Sequence, residues 1–376
     1  MESKRDGISA EGQSTVEVFD MGRIDYNNSE ALHWLRYVLN PETDKPIVKD
    51  WSAIVAFAEK QALMGIFLPE ECPQNLTKNN LLQWIGCVQL IEQQNTLLNK
   101  RIDQLFDMLE KDGFRCCLLK GQGNAVMYPK QLRRCPGDID VWFDTDEETA
   151  YSYVKNMFPN AEVSYKHIHF PIFDDVSIDV HVTPLKFYNN HYGKRLQGWI
   201  EQKKTEQLTH KTRLIEASRY ICVPTNKFNA VYQLGHMMIH LFDEGLGLRQ
   251  VVDYYYVLKE LEYSEHERLE LVETIRLLGM YRFARAIMWI ESSVLGLPVE
   301  RCIVMQDERR GKQLLEDILE GGNFGHYSQR YNGRNGFYSR GLVEAWRVVK
   351  FLPMAPREGT ARLVSKMGAA VKHAFN

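Results

Sequence analysis

The sequence predicts an α+β chain, in which a small sheet sits between an N-terminal helical region and a larger all-helical C-terminal part. Three observations carry this. Apolar residues recur at three-to-four spacing across residues 29–112 and again across 187–320. Between them, over residues 113–186, they alternate with period two. That middle stretch also carries a glycine-bearing turn at Gly121-Gln122-Gly123 and an Asp-Asp turn at Asp174-Asp175.

Residues 1–28 are polar and mixed in charge, and predict a loose segment. From Ser29 onward, Leu32, Leu35 and Leu39, then Trp51, Ile54, Val55 and Ala58, keep helical faces, while Pro41, Pro46 and Pro69 cut the region into short helices. A longer helix is predicted over 81–111, with Leu81, Trp84, Val88, Ile91, Leu98, Ile102, Leu105 and Leu109 on its apolar side and Gly113 placed to cap its end. It feeds a strand over 114–119, a glycine turn at Gly121-Gln122-Gly123 and a short helical piece over 125–128. A second strand carries Asp138-Ile139-Asp140-Val141-Trp142-Phe143. Thr145-Asp146-Glu147-Glu148 then matches a capping box, which predicts a helix over 146–157 ended by Pro159. Residues 162–173 and 176–182 alternate on either side of Asp174-Asp175 and read as a hairpin.

From about Lys186 the strand pattern stops. Helical periodicity returns over 228–241, 246–261, 266–278 and 281–295. Residues 321–341 mix glycine with Arg330, Arg334, Arg340 and the rings of Phe324, Tyr327, Tyr331, Phe337 and Tyr338, a composition that suits a lid or acceptor-binding loop and equally a flexible connection. A last amphipathic stretch holds six Lys or Arg against two Glu over 342–376, enough for contact with an anionic membrane surface or simply for a solvated face.

Composition narrows the class. With 376 residues, 44% apolar and 25% charged, the chain suits two or three soluble domains, and a net charge of −3 gives no general pull toward nucleic acid. Seven cysteines, with no Cys-x-x-Cys pair, argue against a disulfide framework or a zinc ribbon and for a reducing compartment. No signal peptide and no run of 18 apolar residues is visible, so a cytoplasmic location is expected.

The chemical signal lies in Asp138 and Asp140. Residues i and i+2 of a strand share a face, and two carboxylates side by side repel unless a cation separates them. A hard ion such as Mg²⁺ is bound through one or two carboxylates plus substrate phosphates, so the pair reads as a metal clamp open to a phosphate. The turn Gly121-Gln122-Gly123 lets backbone N–H groups approach an anion, so all three residues are expected to bind phosphate, and Lys120 beside them can neutralise phosphate charge as a point cation. No Walker-type Gly-Lys-Ser/Thr and no third glycine of a dinucleotide fingerprint is present.

Leu118-Leu119-Lys120-Gly121, then Tyr128-Pro129, then Arg134-x-x-Gly137-Asp138-Ile139-Asp140-Val141, resembles the uncharacterised nucleotidyltransferase family of the DNA polymerase beta-like nucleotidyltransferase superfamily. The resemblance covers about residues 85–260. It implies a small mixed-sheet nucleotidyltransferase core, a nucleoside triphosphate substrate and two-metal transfer of a nucleotidyl group, with Mg²⁺ or Mn²⁺ as cofactor. It places the third acid at Asp179 on the strand after the hairpin turn. A third carboxylate lets two ions sit about 3.5–4 Å apart. The resemblance also matches Arg134 to a family arginine, which binds phosphate or fixes the loop through the carboxylates, and Tyr128 to a family aromatic with a packing role.

One departure stands out. The superfamily usually has Gly-Ser or Gly-Gly at the turn where this chain has Gly121-Gln122, which raises the alternative of a degenerate member that binds nucleotide or a partner without turnover. His181 shares the face of Asp179 and is expected to support the metals, with His169 across the hairpin in a similar position. His236 and His240 have the i, i+4 spacing of zinc ligands, but their apolar surroundings favour a packed or hydrogen-bonded pair over the metal site of a hydrolase. The acceptor, whether small molecule, protein side chain or RNA end, is not named by the sequence.

Overall fold

The computed structural model describes residues 29–328, apart from residue 74, and residues 337–375. The expectations for residues 1–28 and for Arg330, Tyr331 and Arg334 fall outside the described residues.

Side-chain caps decide where the first helices begin. Ser29 accepts from the Leu32 N–H at the start of α1 (Glu30–Leu39), and Asp50 accepts from the Ser52 and Ala53 N–H groups at the start of α2 (Trp51–Lys60). After the single turn of α3 (Met64–Phe67), Thr77 caps α4 (Lys78–Lys111), which runs for 34 residues. Gly113, at φ 85°, ends it, with the Phe114 N–H reaching back to the Leu109 carbonyl.

The buried face of α4 contains the predicted apolar stripe interrupted by Asn95 and Asn99. A buried amide needs partners. Asn95 Nδ2 donates to the carbonyls of Leu132 and Arg134 at 2.6 and 2.7 Å, so α4 holds the loop that precedes the Asp138/Asp140 strand.

The sheet has the order β1-β2-β4-β3: β1 (Cys116–Leu119), β2 (Ile139–Phe143), β4 (Ile178–His181) and β3 (Ile168–His169). The central pair β2/β4 is parallel and the two outer pairs are antiparallel, so the sheet is mixed, as expected. Period-two alternation divides its side chains between two cores. Cys116, Leu118, Ile139, Val141, Phe143, Ile178 and Val180 join the α4 residues Leu98 to Leu109 and Ala150 and Val154 of α6 (Glu147–Met157). Cys117, Leu119 and Trp142 face the opposite way, into a core that also takes in Trp34 and Leu35 of α1 and most of the C-terminal helices. The N-terminal and C-terminal helices therefore share one apolar interior.

That C-terminal part consists of α7 (Asn190–Gln207), α8 (Asn226–Asp243), α9 (Leu248–Glu260), α10 (Glu265–Leu277), α11 (Tyr281–Trp289), α12 (Glu308–Gly321), α13 (Phe337–Phe351) and α14 (Pro356–Phe375). It departs from the expectation in containing strands: β5 (Lys211–Thr212) and β6 (Ile221–Cys222) pair antiparallel, and β6 lies against β1. Two residues per strand are too few for alternation to be read. The helix after β1 also differs, since α5 spans Gly121–Ala125 rather than 125–128.

The basic stretch at the C-terminus is largely turned inward. Arg347 and Lys350 both meet Asp317 at 2.6 Å, Arg362 meets Asp243 at 2.7 Å, and Lys366 pairs with Glu344. These four cations are already neutralised, which removes most of the charge expected to favour an anionic surface. Among the described residues no helix is long and apolar enough to cross a membrane. The seven cysteines are all free.

Candidate active site

Parallel pairing of β2 and β4 sets Asp140 opposite Asp179, so both carboxylates leave the same face of the sheet. Asp138 stands one residue before β2 and shares that face through the i, i+2 relation. One carboxylate oxygen from each of the three lies within 4.8 Å of the others. All three donors are hard anionic oxygens, the set that Mg²⁺ or Mn²⁺ prefers and that thiolate-seeking metals do not. The residues present thus fit the divalent ion that the sequence implies.

The three acids differ in surroundings. Asp138 is exposed, Asp179 is half-buried and Asp140 is only 4% exposed. Burial pushes the Asp140 carboxyl up, but the Lys120 ammonium at 2.9 Å, together with the His181 Nε2 at 2.8 Å, more than offsets this and holds it well below the usual carboxylate range. Asp138 is displaced the other way, by the charge of Asp140 first and by burial second.

Lys120 reaches Asp140 because its backbone is forced. It has φ 46° and ψ −141°, a conformation that non-glycine residues rarely adopt, and this reverses the chain between β1 and α5. Burial opposes its ammonium, yet Asp140 above all keeps it charged and above the ordinary lysine range. Its Nζ also lies 3.0 Å from Nε2 of His236 on α8. An ammonium can only donate, so His236 accepts there. Burial and then Lys120 depress the His236 pKa well below its usual value, which keeps the imidazole neutral and able to accept.

His240 follows one turn later, with Nε2 at 3.2 Å from the same His236 nitrogen. The pair is hydrogen-bonded, as the sequence indicated, but it belongs to the site. Among the described residues the cluster with metal-ligand spacing contains neither histidine. Around Asp179, His167 Nε2 and His169 Nδ1 each approach to 3.4 Å, one at each carboxylate oxygen. His181 is thus a partner of Asp140 and His169 one of Asp179.

The three acids, Lys120, His167, His181, His236 and His240 line a cavity of about 340 Å³, which also admits Lys166, Arg249, Gln250 and Phe324; His169 is not among its lining residues. Gly121 lines it too. Gln122 does not: its amide nitrogen donates to Asn99 Oδ1 at 2.8 Å and the side chain is buried against α4. Gly123 also faces away, packed so closely on β1 that a Cβ would come within 3.2 Å of the Leu118 carbonyl oxygen. The residue at the unusual turn position is therefore bonded to the scaffold, with its side chain away from the cavity.

Arg134 reaches neither Asp138 nor Asp140. Its Nε and Nη2 make a two-pronged contact, each at 2.8 Å, with the carboxylate of Asp253 on α9, and the Tyr128 hydroxyl donates to the same carboxylate at 2.6 Å. All three side chains are buried. This unit ties the loop before β2 to α9, a positioning task in which the Arg134 guanidinium is paired with Asp253. Asp253 did leave a trace in the sequence, as a lone acid within Val251-Val252-Asp253-Tyr254-Tyr255, because an acid on an apolar helical face demands a partner. Arg249 left none, and Phe324 is marked only as one ring of the glycine- and arginine-rich segment over 321–341.

Parallel strands thus present three acids beside a lysine-glycine bend, enclosed by helices, in an arrangement that could hold a divalent ion. The chain belongs to the uncharacterised nucleotidyltransferase family, whose model matches residues 48–296. No curated protein and no solved structure matches the chain.

Proposed function

We propose that the protein transfers a nucleoside monophosphate from a nucleoside triphosphate to an acceptor hydroxyl or phosphate, with Mg²⁺ or Mn²⁺ held by Asp138, Asp140 and Asp179. The observation that carries this is the convergence of these three carboxylates on one wall of a cavity whose adjoining wall is Lys120. A divalent ion bound there supplies charge stabilisation at the attacking and leaving oxygens.

In this reading an acceptor oxygen attacks the α-phosphorus. The new bond joins that oxygen to phosphorus, the bond to the bridging oxygen breaks, and pyrophosphate departs. Phosphoryl-type transfer asks for positioning and charge rather than covalent help from the protein. Asp140, kept ionised by Lys120 and His181, remains a ligand at any working pH. His167 and His169 orient Asp179, while His236 holds the Lys120 ammonium at the edge of the cavity.

The test is a panel of nucleoside triphosphates with Mg²⁺ or Mn²⁺, scored for pyrophosphate release and for label moving onto protein, RNA or small-molecule acceptors. Metal-dependent pyrophosphate release supports the proposal. Nucleotide binding by calorimetry without release under any condition contradicts it and favours a non-catalytic nucleotide-binding member of the family.

A further inference from the structure

The cavity holds several basic side chains, and most are already committed. Lys120 is paired with Asp140, Arg134 with Asp253, Lys166 with Asp243 at 2.6 Å and Lys186 with Glu147 at 2.5 Å. Arg249, the second residue of α9, is different. Its Nη1 donates to the Pro136 carbonyl at 2.9 Å, its Nε has no hydrogen-bond partner, and among the described residues it forms no ion pair. Next to it, the Gln250 amide nitrogen is also buried without an acceptor.

Its location gives this meaning. Nη1 of Arg249 lies 3.7 Å from where a Cβ on Gly137 would stand, beside the backbone that enters Asp138. An uncommitted guanidinium is therefore held next to the acidic group, on the cavity wall. Phe324 fixes it from the other direction, with its ring centre 5.3 Å from the guanidinium carbon and 5.0 Å from the His240 ring. Phe324 itself sits at φ 51°, between Gly322 and Gly325 with φ of 66° and 71°. A phenylalanine is held in that conformation only when its surroundings overdetermine it.

We infer that Arg249 is a substrate-binding residue that grips the phosphate chain of the nucleotide, and that Phe324 is a positioning residue that keeps its guanidinium facing the cavity. The inference rests on the nucleotidyl-transfer reading for the identity of the ligand. It assigns to α9 the phosphate contact that the sequence left open for Arg134, whose guanidinium Asp253 occupies. A planar fork can hold two phosphate oxygens at once, which a lysine cannot.

The experiment uses the full chain and two probes: magnesium tripolyphosphate binding by calorimetry, and KM and kcat for pyrophosphate release from a nucleoside triphosphate. Arg249→Gln is expected to weaken tripolyphosphate binding about 10-fold or more and to raise KM by a similar factor, since each charge-assisted contact is worth about that much. Arg249→Lys recovers only part of the loss. Phe324→Leu moves both quantities in the same direction by less, and Phe324→Tyr restores them. Wild-type tripolyphosphate affinity and KM in Arg249→Gln, with unchanged circular dichroism, overturns the inference while leaving nucleotidyl transfer intact. If the wild-type protein binds tripolyphosphate, Arg249→Gln abolishes that binding, and no nucleotide is turned over, the anion site stands and the transfer reading fails. If the wild-type protein does not bind tripolyphosphate, the inference is overturned.

Discussion

Asp138 and Asp140 share a strand end but will not respond alike to substitution. Asp138 is exposed and has no cation bonded to it, so Asp138→Asn removes a metal ligand and little else. Turnover should fall about 10³-fold, as expected for several kcal/mol of lost charge stabilisation, with the unfolding midpoint unchanged. Asp140→Asn removes turnover too, but it also takes the carboxylate partner from the half-buried Lys120 ammonium, which costs about 1–3 kcal/mol. Denaturant unfolding of the two variants separates the cases, and equal midpoints would show that the Lys120 pair contributes nothing. At this scale much of the site was legible. The i, i+2 spacing of Asp138 and Asp140 follows from strand geometry, while Asp179 was reached only through the family resemblance. For Arg134 the sequence leaves phosphate binding and fixing of the loop both open, because its partner Asp253 lies 119 positions away. His236 escaped for the same reason, and the strained backbone of Lys120 has no local signature.

Among the elements, close contacts and buried acids determine how helices seat. Gly311 of α12 faces α11, and a Cβ there would stand 2.4 Å from Cε3 of Trp289. Gly311→Ala should therefore destabilise by about 1–3 kcal/mol through overpacking, although alanine favours a helix interior by about 1 kcal/mol. Its turnover per folded molecule should stay at the wild-type level, and a raised midpoint would refute the contact. On α14, Glu358 is 1% exposed and accepts the N–H groups of Tyr188 and Asn189 at the start of α7. Burial, reinforced by Asp243, outweighs those two bonds and pushes its carboxyl from 4.5 up to about 7. A carboxyl raised on folding favours the protonated form. Its contribution is complete below the ordinary value of 4.5 and is lost as pH climbs to about 7. Wild type should lose roughly 3 kcal/mol relative to Glu358→Gln across that window, by the usual linkage of pKa to stability. Parallel stability curves for the two proteins would contradict this. The long helices could be read from periodicity and caps, while the mixed pairing of the sheet was implied by the family resemblance. The two-residue strands β5 and β6 could not, since they are too short for alternation and pair only with each other.

Taken as a whole, the molecule encloses its acidic group between a sheet and helices that arrive from distant parts of the sequence. β2 and β4 supply the carboxylates, the β1–α5 bend supplies Lys120, α8 supplies His236, and α9 supplies Arg249 and the Asp253 anchor. The shared core that joins α1 to the C-terminal helices fixes these contributions relative to one another. The account depends on Asp138, Asp140 and Asp179 acting together as ligands to a divalent ion. Titration of Mn²⁺ into the wild-type chain and into Asp138→Asn, followed by electron paramagnetic resonance, tests this most directly. The account predicts saturable binding by the wild type that weakens at least about 10-fold in the variant. Equal binding by the two proteins, or none by the wild type even with a nucleoside triphosphate present, would contradict it.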